Sequence, residues 1–227
     1  MAIKEKTVLG IDEAGRGSVI GPLVICGVLI EESKIELLKE AKDSKLLSPK
    51  RREKLEKKIK EVVKDFAVIK ISSEEIDKLR SEKNLNNIEI ENMQKIINLF
   101  NPDVVIIDSP EKNVKKFERK IREKIKNNNI EIICENYADR KYKVVSAASI
   151  IAKVERDREI EKIKKEYKID FGSGYPSDER TIKFLENIIK NEKELPKFIR
   201  KSWLTVKRLS KRKLQAKIKY FLDSYNA

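Results

Sequence analysis

The stretch Val8-Leu9-Gly10-Ile11-Asp12-Glu13-Ala14-Gly15-Arg16-Gly17 decides the fold. An apolar strand ends in two adjacent carboxylates, and a glycine loop follows at once. Strand side chains alternate between faces, so both acids reach one site only where the strand ends or bends. Two acids beside a loop whose backbone can approach a ligand closely favour an oxygen-rich metal site. Taken alone, the pattern is also that of an acidic, glycine-rich turn, so the rest of the chain has to decide.

The composition indicates the kind of partner. The 227 residues are 40% hydrophobic and 40% charged, with a net charge of +14. This excess favours a polyanion, either nucleic acid or an anionic membrane surface. No apolar run approaches the roughly 20 residues of a membrane helix, and the N-terminus lacks the apolar stretch of a secretory signal. We therefore expect a cytoplasmic, monomeric protein that binds nucleic acid and not a membrane. Heat adaptation would explain charges of both signs, but not an excess of one sign.

Histidine is absent from the chain. Its absence excludes Ser-His and Cys-His nucleophiles and any metal site with histidine ligands. An enzyme of this sequence must use carboxylates, lysine, tyrosine or a metal ion. Cys26 and Cys134 each lie in an apolar, strand-like run, and their spacing indicates buried free thiols rather than a zinc site or a disulfide framework.

Hydrophobic patterning predicts an α/β domain with a mixed sheet. The predicted strands cover residues 7–11, 22–30, 66–71, 104–107 and 130–134. Three helices are predicted between and after them. The first begins at Pro49 with Ser48 as its cap. The second runs from Lys112 to Asn127 with Phe117, Ile121 and Ile125 at helical spacing. The third runs from a capping Ser146 to about Tyr167.

A domain boundary is predicted near Phe171, where a turn-rich segment begins. Residues 1–170 form the predicted catalytic domain, and residues 171–227 a small helical C-terminal extension. Residues 200–227 hold nine Lys or Arg against one acid, interleaved with Trp203 and Tyr220. We expect this extension to bind a phosphate backbone, whereas a purely solvated basic face would not need the aromatic residues.

Two further acids follow predicted strands. Asp108 ends the strand 104–107, and Asp139 follows the strand 130–134. A sheet that lets three strand ends meet would gather Asp12, Glu13, Asp108 and Asp139 in one cleft. At about 4 Å, each pair of carboxylates repels by roughly 4 kcal/mol at an effective dielectric near 20. Hard divalent cations such as Mg²⁺ or Mn²⁺ relieve that repulsion.

Two such ions, about 4 Å apart, suit hydrolysis of a phosphodiester. Each of the later acids also has an ordinary structural interpretation. Asp108 could be the N-cap of the next helix, and Asp139 could be a turn residue that pairs with Arg140. The set of four is much more specific than any one member.

The chain resembles the type 2 ribonucleases H (ribonuclease HII), most of all their archaeal branch. The resemblance rests on residues 10–17 with Gly21-Pro22, on Asp43-Ser44-Lys45, on Asp108, on residues 138–153, on Gly172-Ser-Gly-Tyr175-Pro and on Ser202-Trp203. It covers about residues 7–210. It implies a ribonuclease H-like five-stranded sheet flanked by helices. It also implies that Asp12, Glu13, Asp108 and Asp139 are the catalytic, metal-binding acids.

The resemblance further implies the reaction. The family hydrolyses the RNA strand of RNA–DNA hybrids and incises duplex DNA 5′ of single embedded ribonucleotides, as in ribonucleotide excision repair. The cut ends carry 3′-hydroxyl and 5′-phosphate groups. Only the 2′-OH distinguishes the sugar of a ribonucleotide. The residues that resemble substrate contacts are Gly15, Arg16, Gly17, Lys45, Ser146, Ser149, Lys153 and Tyr175.

Several of these assignments have alternatives. Tyr175 could be an aromatic plug under the C-terminal helices. Lys153 could form a helical ion pair with Asp157, and Ser146 could simply cap its helix. Two positions depart from the family pattern. Ser18 stands where a proline is usual, which should loosen the loop modestly, and Asn136 stands where archaeal relatives often have histidine, which bears on rate and pH profile.

The C-terminal segment resembles the peptide by which replication and repair proteins bind the sliding clamp. Gln215 is followed by Ile218 and then Phe221, whose apolar side chains would enter a pocket in the helix-in-groove manner. Leu222 stands where a second aromatic residue is common. Alternatively, Leu214, Ile218 and Phe221 have the spacing of a helix that packs back on its own domain.

Two other functions fit parts of the pattern. A non-catalytic nucleic-acid-binding protein could retain the fold, but the presence of all four acids argues against it. A junction resolvase or exonuclease of the same superfamily could share the acids. The Gly15–Gly17 loop and Tyr175 argue against that class, because those enzymes do not recognise a single 2′-OH.

Overall fold

The chain forms a mixed five-stranded sheet with the strand order β3-β2-β1-β4-β5. The computed structural model describes residues 5–41, 48–192 and 194–225. The strands are β1 (Thr7–Ala14), β2 (Leu23–Glu31), β3 (Asp65–Ile71), β4 (Val104–Asp108) and β5 (Glu131–Glu135). All five predicted strands are present, with ends shifted by at most three residues. The prediction of an α/β fold with a mixed five-stranded sheet is confirmed.

Strand β1 is longer than predicted, and its extra residues matter for the site. It runs antiparallel to β2 over its whole length, from Thr7 opposite Glu31 to Ala14 opposite Val24. Its parallel pairing with β4 ends earlier, at Ile11 opposite Ile107. Strand β4 is in turn parallel to β5. The carboxyl ends of β1, β4 and β5 therefore meet at one edge of the sheet.

Helices occupy most of the remaining chain. A 3₁₀ helix covers Glu32–Ala41, and the α-helices are α1 (Pro49–Val62), α2 (Ser73–Leu79), α3 (Leu85–Phe100), α4 (Val114–Arg122), α5 (Ala138–Lys141), α6 (Lys143–Tyr167), α7 (Glu179–Asn191) and α8 (Leu204–Tyr225). Within the described residues, none of these helices combines the length and the hydrophobicity that a membrane crossing requires.

The predicted helices are present with corrected ends. Helix α1 begins at Pro49 as predicted, with Ser48 in the N-cap position, although the serine side chain makes no capping bond. Helix α4 is shorter than the predicted 112–127, with Phe117 and Ile121 fully buried as expected. The predicted start of α6 at Ser146 is wrong. The backbone N–H groups of Val145 and Ser146 both donate to the Tyr142 carbonyl, so the helix already forms at Lys143.

Gly10 allows α6 to approach β1 very closely. A Cβ atom at Gly10 would lie 2.5 Å from the Val144 carbonyl carbon and 2.7 Å from the Val145 nitrogen. The start of α6 is itself buried, with Val144, Val145, Ala147 and Ala148 in the same apolar cluster as Ala14. The close approach places the first turns of α6 beside the end of β1. Cys26 and Cys134 are buried free thiols, as predicted.

Contacts divide the chain into two compact units. The first contains the residues up to Arg16, Val24–Lys70 and Lys83–Asp157. The second contains Gly17–Leu23, Ile71–Glu82 and the chain from Arg158 onward. The second unit thus includes two segments from the N-terminal half of the chain. The predicted boundary at residue 171 cuts the chain at a single point, and it stays a prediction.

The second unit has its own apolar cluster. The rings of Phe171 and Phe198 stack with centroids 5.9 Å apart, and Tyr167 meets Phe198 edge to face at 4.7 Å. The segment Gly17–Leu23 is tied into this unit by the fully buried Arg200, whose Nε donates to the Gly21 carbonyl at 2.9 Å. Ser73 adds a hydrogen bond from its hydroxyl to the same carbonyl at 3.0 Å.

Candidate active site

Three acids converge at the carboxyl edge of the sheet. Asp12 is one residue beyond the last β1–β4 pair, Asp108 is the last residue of β4, and Asp139 lies in α5 just after β5. One carboxylate oxygen from each lies within 4.8 Å of the others. Asp12 is 6% exposed and Asp139 is 8% exposed, so this is a cluster of mostly buried carboxylates. Three of the four acids predicted to gather in one cleft, Asp12, Asp108 and Asp139, therefore meet at adjacent strand ends.

Asp12 is held from two sides. Its Oδ1 accepts a hydrogen bond from the Glu13 backbone N–H at 2.7 Å, and the Ser149 hydroxyl on α6 bonds the carboxylate. Lys153 donates to the Ser149 hydroxyl at 2.7 Å. Burial chiefly, and then the charge of Asp108, raise the pKa of Asp12 from 3.8 to about 7 despite the hydrogen bond from Ser149. The site therefore disfavours a bare negative charge at Asp12.

Glu13 lies next to this cluster but outside the group of three. It follows Asp12 on β1, and adjacent strand residues point to opposite faces. Burial, followed by the charges of Asp12, Glu89 and Asp108, raises the pKa of Glu13 well above its usual value. Its Oε2 is buried without a hydrogen-bond partner among the described residues. Glu13 thus offers a carboxylate oxygen that the described part of the protein does not use.

Asp108 and Asp139 are linked through α5. The Asp108 Oδ1 accepts a hydrogen bond from the backbone N–H of Ala138, the first residue of α5, at 3.1 Å. Asp108 does not cap the next helix in the chain, because α4 begins at Val114 with Asn113 as its N-cap. The hydroxyl of Ser146, which is buried, donates to the Asp139 carbonyl. Hydrogen bonds therefore fix the backbone of α5 at Ala138, next to Asp139, and at Asp139 itself.

The donor set fits a hard divalent cation. Carboxylate oxygens are the ligands that Mg²⁺ and Mn²⁺ prefer, and three of them here lie close enough to share an ion. The raised pKa of Asp12 and the unpartnered Glu13 oxygen both indicate negative charge that a cation would stabilise. Asp12, Asp108 and Asp139, with Glu13 beside them, could therefore hold metal ions.

In the glycine loop after β1, Arg16 is bonded to the protein, whereas Gly17 has open space around it. Gly15 has φ 85°, a left-handed conformation that favours glycine. The Arg16 guanidinium bonds within the protein, to Glu89 at 3.0 and 3.1 Å and to the Asn86 side chain. A Cβ atom at Gly17 would meet nothing within 4 Å. Gly17 is thus exposed with open space around it, whereas Gly15 is buried and Arg16 makes structural contacts.

The lysines and serines predicted to contact substrate fall into three groups. Ser149 bonds the Asp12 carboxylate, and Lys153 donates to the Ser149 hydroxyl. Asp157, the alternative partner of Lys153, pairs with Arg52 at 2.7 Å. Ser146 lies inside α6 and bonds the Asp139 backbone instead of capping the helix. Lys45, together with Asp43 and Ser44, lies outside the described residues.

Tyr175 lies in a loop that is built into the second unit. The Gly174 carbonyl accepts hydrogen bonds from the N–H groups of Val19 and Ile20, at 2.8 and 3.1 Å. Gly174 N–H donates to the Thr181 hydroxyl at 3.0 Å. The Tyr175 loop is thereby bonded to the segment that directly follows Gly17. Tyr175 is half-buried and is not a member of the apolar cluster beneath the C-terminal helices, which argues against its role as a plug.

The end of α8 exposes apolar side chains. Leu214 is 59% exposed and Ile218 is 52% exposed, and Gln215 is exposed as well. The alternative in which Leu214 and Ile218 pack back on their own domain is therefore wrong for these two residues. The side chain of Phe221 lies outside the part of the chain that the structure describes.

Sequence reasoning missed a set of polar residues around the acids. Glu89 and Asn86 on α3 bond Arg16, and Glu111 accepts a hydrogen bond from Asn86. Asn136, noted only as a departure from the family pattern, donates to two backbone carbonyls. The one local signal was a charged Glu89 inside the apolar pattern Ile88, Ile90, Met93 of α3, where a buried acid requires a partner.

Comparison with known proteins agrees with this geometry. The family model of Ribonuclease HII matches residues 9–206 of the chain. The chain belongs to the ribonuclease HII family. It is therefore an enzyme, a ribonuclease H that hydrolyses phosphodiesters as an endonuclease. A ribonuclease HII of Thermococcus sibiricus is 48% identical over 221 residues, covering 94% of this chain and 97% of the relative.

Two solved structures of the ribonuclease HII family superimpose closely. The ribonuclease H2 from Pyrococcus horikoshii gives a TM-score of 0.84 at 43% identity, covering 91% of this chain and 98% of that one. Ribonuclease HII in a PCNA complex from Archaeoglobus fulgidus gives a TM-score of 0.81 at 41% identity, covering 89% of this chain and 96% of that one. The predicted family and ribonuclease H-like fold are confirmed.

Proposed function

We propose that this ribonuclease HII cleaves the RNA strand of RNA–DNA hybrids and also incises duplex DNA on the 5′ side of single embedded ribonucleotides. The products are a 3′-hydroxyl and a 5′-phosphate. The observation that carries the proposal is the convergence of Asp12, Asp108 and Asp139, with oxygens within 4.8 Å, at the ends of adjacent strands. We further propose that the enzyme acts in ribonucleotide excision repair in the cytoplasm.

Asp12, Glu13, Asp108 and Asp139 would together hold two divalent ions, Mg²⁺ or Mn²⁺. When bound, these ions supply Lewis-acid stabilisation of the attacking and leaving oxygens of a phosphodiester. Support for this assignment comes from the acids themselves, since buried carboxylates with raised pKa values gain the most from a cation. The contribution of the protein is to hold these oxygens in fixed positions before the substrate arrives.

Two residues of α6 orient Asp12 in this scheme. Ser149 bonds the Asp12 carboxylate, and Lys153 donates to the Ser149 hydroxyl while placing its positive charge near Asp12. The positive charge lowers the pKa of Asp12 and so favours the ionised form that binds a cation. Lys153 would also attract the phosphate of a substrate that approaches the acids. Lys45 stays a predicted contact to the substrate backbone.

Selection of a ribonucleotide would use the glycine loop and Tyr175. The Gly17 backbone can approach a 2′-OH because no Cβ intervenes and its surroundings are open, whereas Gly15, which is buried, stays a predicted contact. Tyr175 would stack on the sugar or base next to the ribonucleotide. The hydrogen bonds from Val19 and Ile20 to Gly174 hold the Tyr175 loop to the segment after Gly17 within the second unit, which supports a joint role of Gly17 and Tyr175 in reading one nucleotide.

A cleavage assay with three duplexes tests the proposal. The substrates are an RNA–DNA hybrid, a DNA duplex with one embedded ribonucleotide, and the same duplex without it, each with Mg²⁺ and with Mn²⁺. We expect cleavage of the first two only, with the cut on the 5′ side of the single ribonucleotide. Cleavage of the all-DNA duplex would indicate a different nuclease of the same fold. Asp108→Asn serves as the control for contaminating nuclease.

We also propose that the C-terminal segment binds a sliding clamp through Gln215, Ile218 and Phe221. The observation that favours this partner is the exposure of Ile218 and Leu214, because apolar side chains on the surface of α8 suit a helix-in-groove contact. The structural relative from Archaeoglobus fulgidus was solved as a PCNA complex. The clamp would keep the enzyme on the DNA that it surveys.

Deletion of residues 214–227 tests the clamp proposal. The truncated protein should keep its cleavage rate on short duplexes and lose association with a purified clamp, measured by surface plasmon resonance. If the truncated protein unfolds or precipitates, the segment is part of the core. If it still binds the clamp, the contact lies elsewhere in the chain.

A further inference from the structure

A continuous set of contacts connects the three loops that follow β1, β4 and β5. Its first member is Glu89 on α3, whose side chain has no exposed surface. Both Glu89 oxygens contact the Arg16 Nε, at 3.0 and 3.1 Å. A buried carboxylate without a partner would cost several kcal/mol, on the order of the penalty for desolvating an ion. Glu89 therefore holds Arg16, and with it the loop that follows β1, against α3.

Asn86 carries the contacts from this loop to the next one. Its side-chain oxygen accepts a hydrogen bond from Arg16, and its Nδ2 donates to the Glu111 carboxylate at 2.9 Å. Glu111 lies in the loop that follows β4 and Asp108. Lys120 is 3.7 Å from the same carboxylate oxygen of Glu111. The loop after β4 is thus tied to the same helix, α3, as the loop after β1.

Asn136 closes the set at the third loop. Its Nδ2 donates to the Ser109 carbonyl at 2.7 Å and to the Glu111 carbonyl at 2.9 Å. Asn136 lies between β5 and α5, three residues before Asp139, and Ser109 directly follows Asp108. One amide therefore spans the backbones that carry these two acids.

We propose that Glu89 and Asn136 are positioning residues, and that the contacts Glu89–Arg16–Asn86–Glu111–Asn136 fix the spacing of the loops that follow β1, β4 and β5. None of these side chains needs to touch substrate or metal for this role. They act by holding Asp12, Asp108 and Asp139 at the separation that a shared cation requires. The inference rests on the proposed function, since it assigns these residues to the metal site of that function.

Asn98 provides a matched control. It lies on the same helix, α3, and its Nδ2 donates to the Lys124 carbonyl at 2.9 Å while its side-chain oxygen accepts from the Lys126 N–H. The substitutions Asn136→Ala and Asn98→Ala therefore remove hydrogen bonds of the same kind from an asparagine to a loop. Only Asn136 bonds the loops next to the acids. A difference between the two variants isolates the effect of loop spacing from a general loss of hydrogen bonds.

The test is a Mn²⁺ titration of the full chain by isothermal calorimetry, without substrate, together with steady-state cleavage kinetics. We expect Asn136→Ala to weaken Mn²⁺ binding by about 10-fold, the lower end of the range for residues that support metal ligands. The kcat should fall similarly, with KM nearly unchanged. Asn98→Ala should leave both the Mn²⁺ affinity and kcat unchanged while lowering the melting temperature as much as Asn136→Ala does.

The variant Glu89→Gln tests the other end of the set. It keeps the shape of the side chain but removes its charge, so Arg16 loses its strongest partner. The combined effect of Glu89→Gln and Asn136→Ala on Mn²⁺ affinity should be smaller than the product of the single effects, because connected residues are not additive. Should Glu89→Gln fail to fold, Asn86→Ala removes the middle contact and takes its place.

The outcomes separate this inference from the proposed function. If Asn136→Ala binds Mn²⁺ like the unaltered chain, or if Asn98→Ala weakens it equally, the contacts are merely structural and the inference is overturned. The inference would also be overturned if the double variant Glu89→Gln/Asn136→Ala lost Mn²⁺ affinity by the full product of the two single effects. Asp108→Asn is the control for the metal site. If that variant binds Mn²⁺ normally, the proposed function fails and the inference fails with it.

Discussion

Asp12 and Asp139 are carboxylates buried at the edge of the sheet, with 6% and 8% of their surface exposed, whereas Leu214 and Ile218 are apolar residues that α8 exposes by 59% and 52%. Charged side chains are usually exposed and large apolar side chains are usually buried. The acids are buried and the apolar residues of α8 are exposed, so each region is the reverse of the usual case. Burial, followed by the charge of Asp108, raises the pKa of Asp12, so the site disfavours the ionised form of that carboxyl. The apolar residues of α8 stay in water although they could have been buried.

We propose that each departure serves a ligand of the matching kind. A divalent cation would compensate the buried acids, and an apolar groove would cover the residues of α8. Sequences are locally consistent except where function demands otherwise. Neutralising the acids should therefore raise stability, and making the exposed apolar residues polar should not lower it.

The largest expected effect is on catalysis by the acids. We predict that Asp108→Asn lowers cleavage by at least about 100-fold, the scale for losing one electrostatic stabiliser of a transition state. Asp12→Asn and Glu13→Gln should act in the same way. In the metal-free protein the melting temperature should stay equal or rise slightly, because one repulsive charge is removed. Near-normal cleavage by Asp108→Asn would refute the assignment of the site.

The next effect concerns the packing that buries the acids. Gly10→Ala would place a Cβ atom 2.5 Å from the backbone of Val144. Overpacking of this kind costs about 1–3 kcal/mol, so we predict a clear fall in melting temperature and in Mn²⁺ affinity. Gly17→Ala is the matched control, since its Cβ atom would meet nothing within 4 Å. It should leave stability unchanged and reduce cleavage of a single embedded ribonucleotide alone.

The sequence predicted the strands and the meeting of Asp12, Asp108 and Asp139, because both follow from local patterns and from the parallel order of strands. It did not predict the contacts of Glu89, Asn86 and Asn136. Arg16 and Glu89 are 73 residues apart, and Asn86 and Glu111 are 25 apart. No local pattern encodes such pairings, which depend on how α3 packs.

At the start of α6, a local sequence signal was present but predicted the wrong structure. Ser146 has the residue type of an N-cap, but the turn at Tyr142 begins the helix at Lys143 and converts the serine into a partner of the Asp139 carbonyl. Capping preference is a local signal, and tertiary structure around α5 overrides it. Ser146 was thus singled out by the sequence, but its actual partner depends on tertiary structure.

A smaller effect is expected at Tyr175, in the second unit. Stacking of a base on an aromatic side chain contributes about 1–3 kcal/mol. We predict that Tyr175→Ala lowers cleavage of a single embedded ribonucleotide by roughly 10-fold, and cleavage of a long hybrid less. A long hybrid offers many registers, whereas a lone ribonucleotide offers one. Kinetics on both substrates measure the difference, and equal losses would make Tyr175 a structural residue or a general backbone contact.

The smallest effect on stability is expected on α8. We predict that Leu214→Ser and Ile218→Ser each change the free energy of unfolding by no more than about 0.5 kcal/mol, as surface substitutions do. Chemical denaturation measures this. The two variants should differ only in clamp binding, because Ile218 occupies the apolar position three residues after Gln215 and Leu214 precedes it. A loss of stability well above that limit in either variant would mean that α8 buries these side chains in solution. The contrast with the acids would then no longer hold, and the exposed apolar surface could not be attributed to a partner.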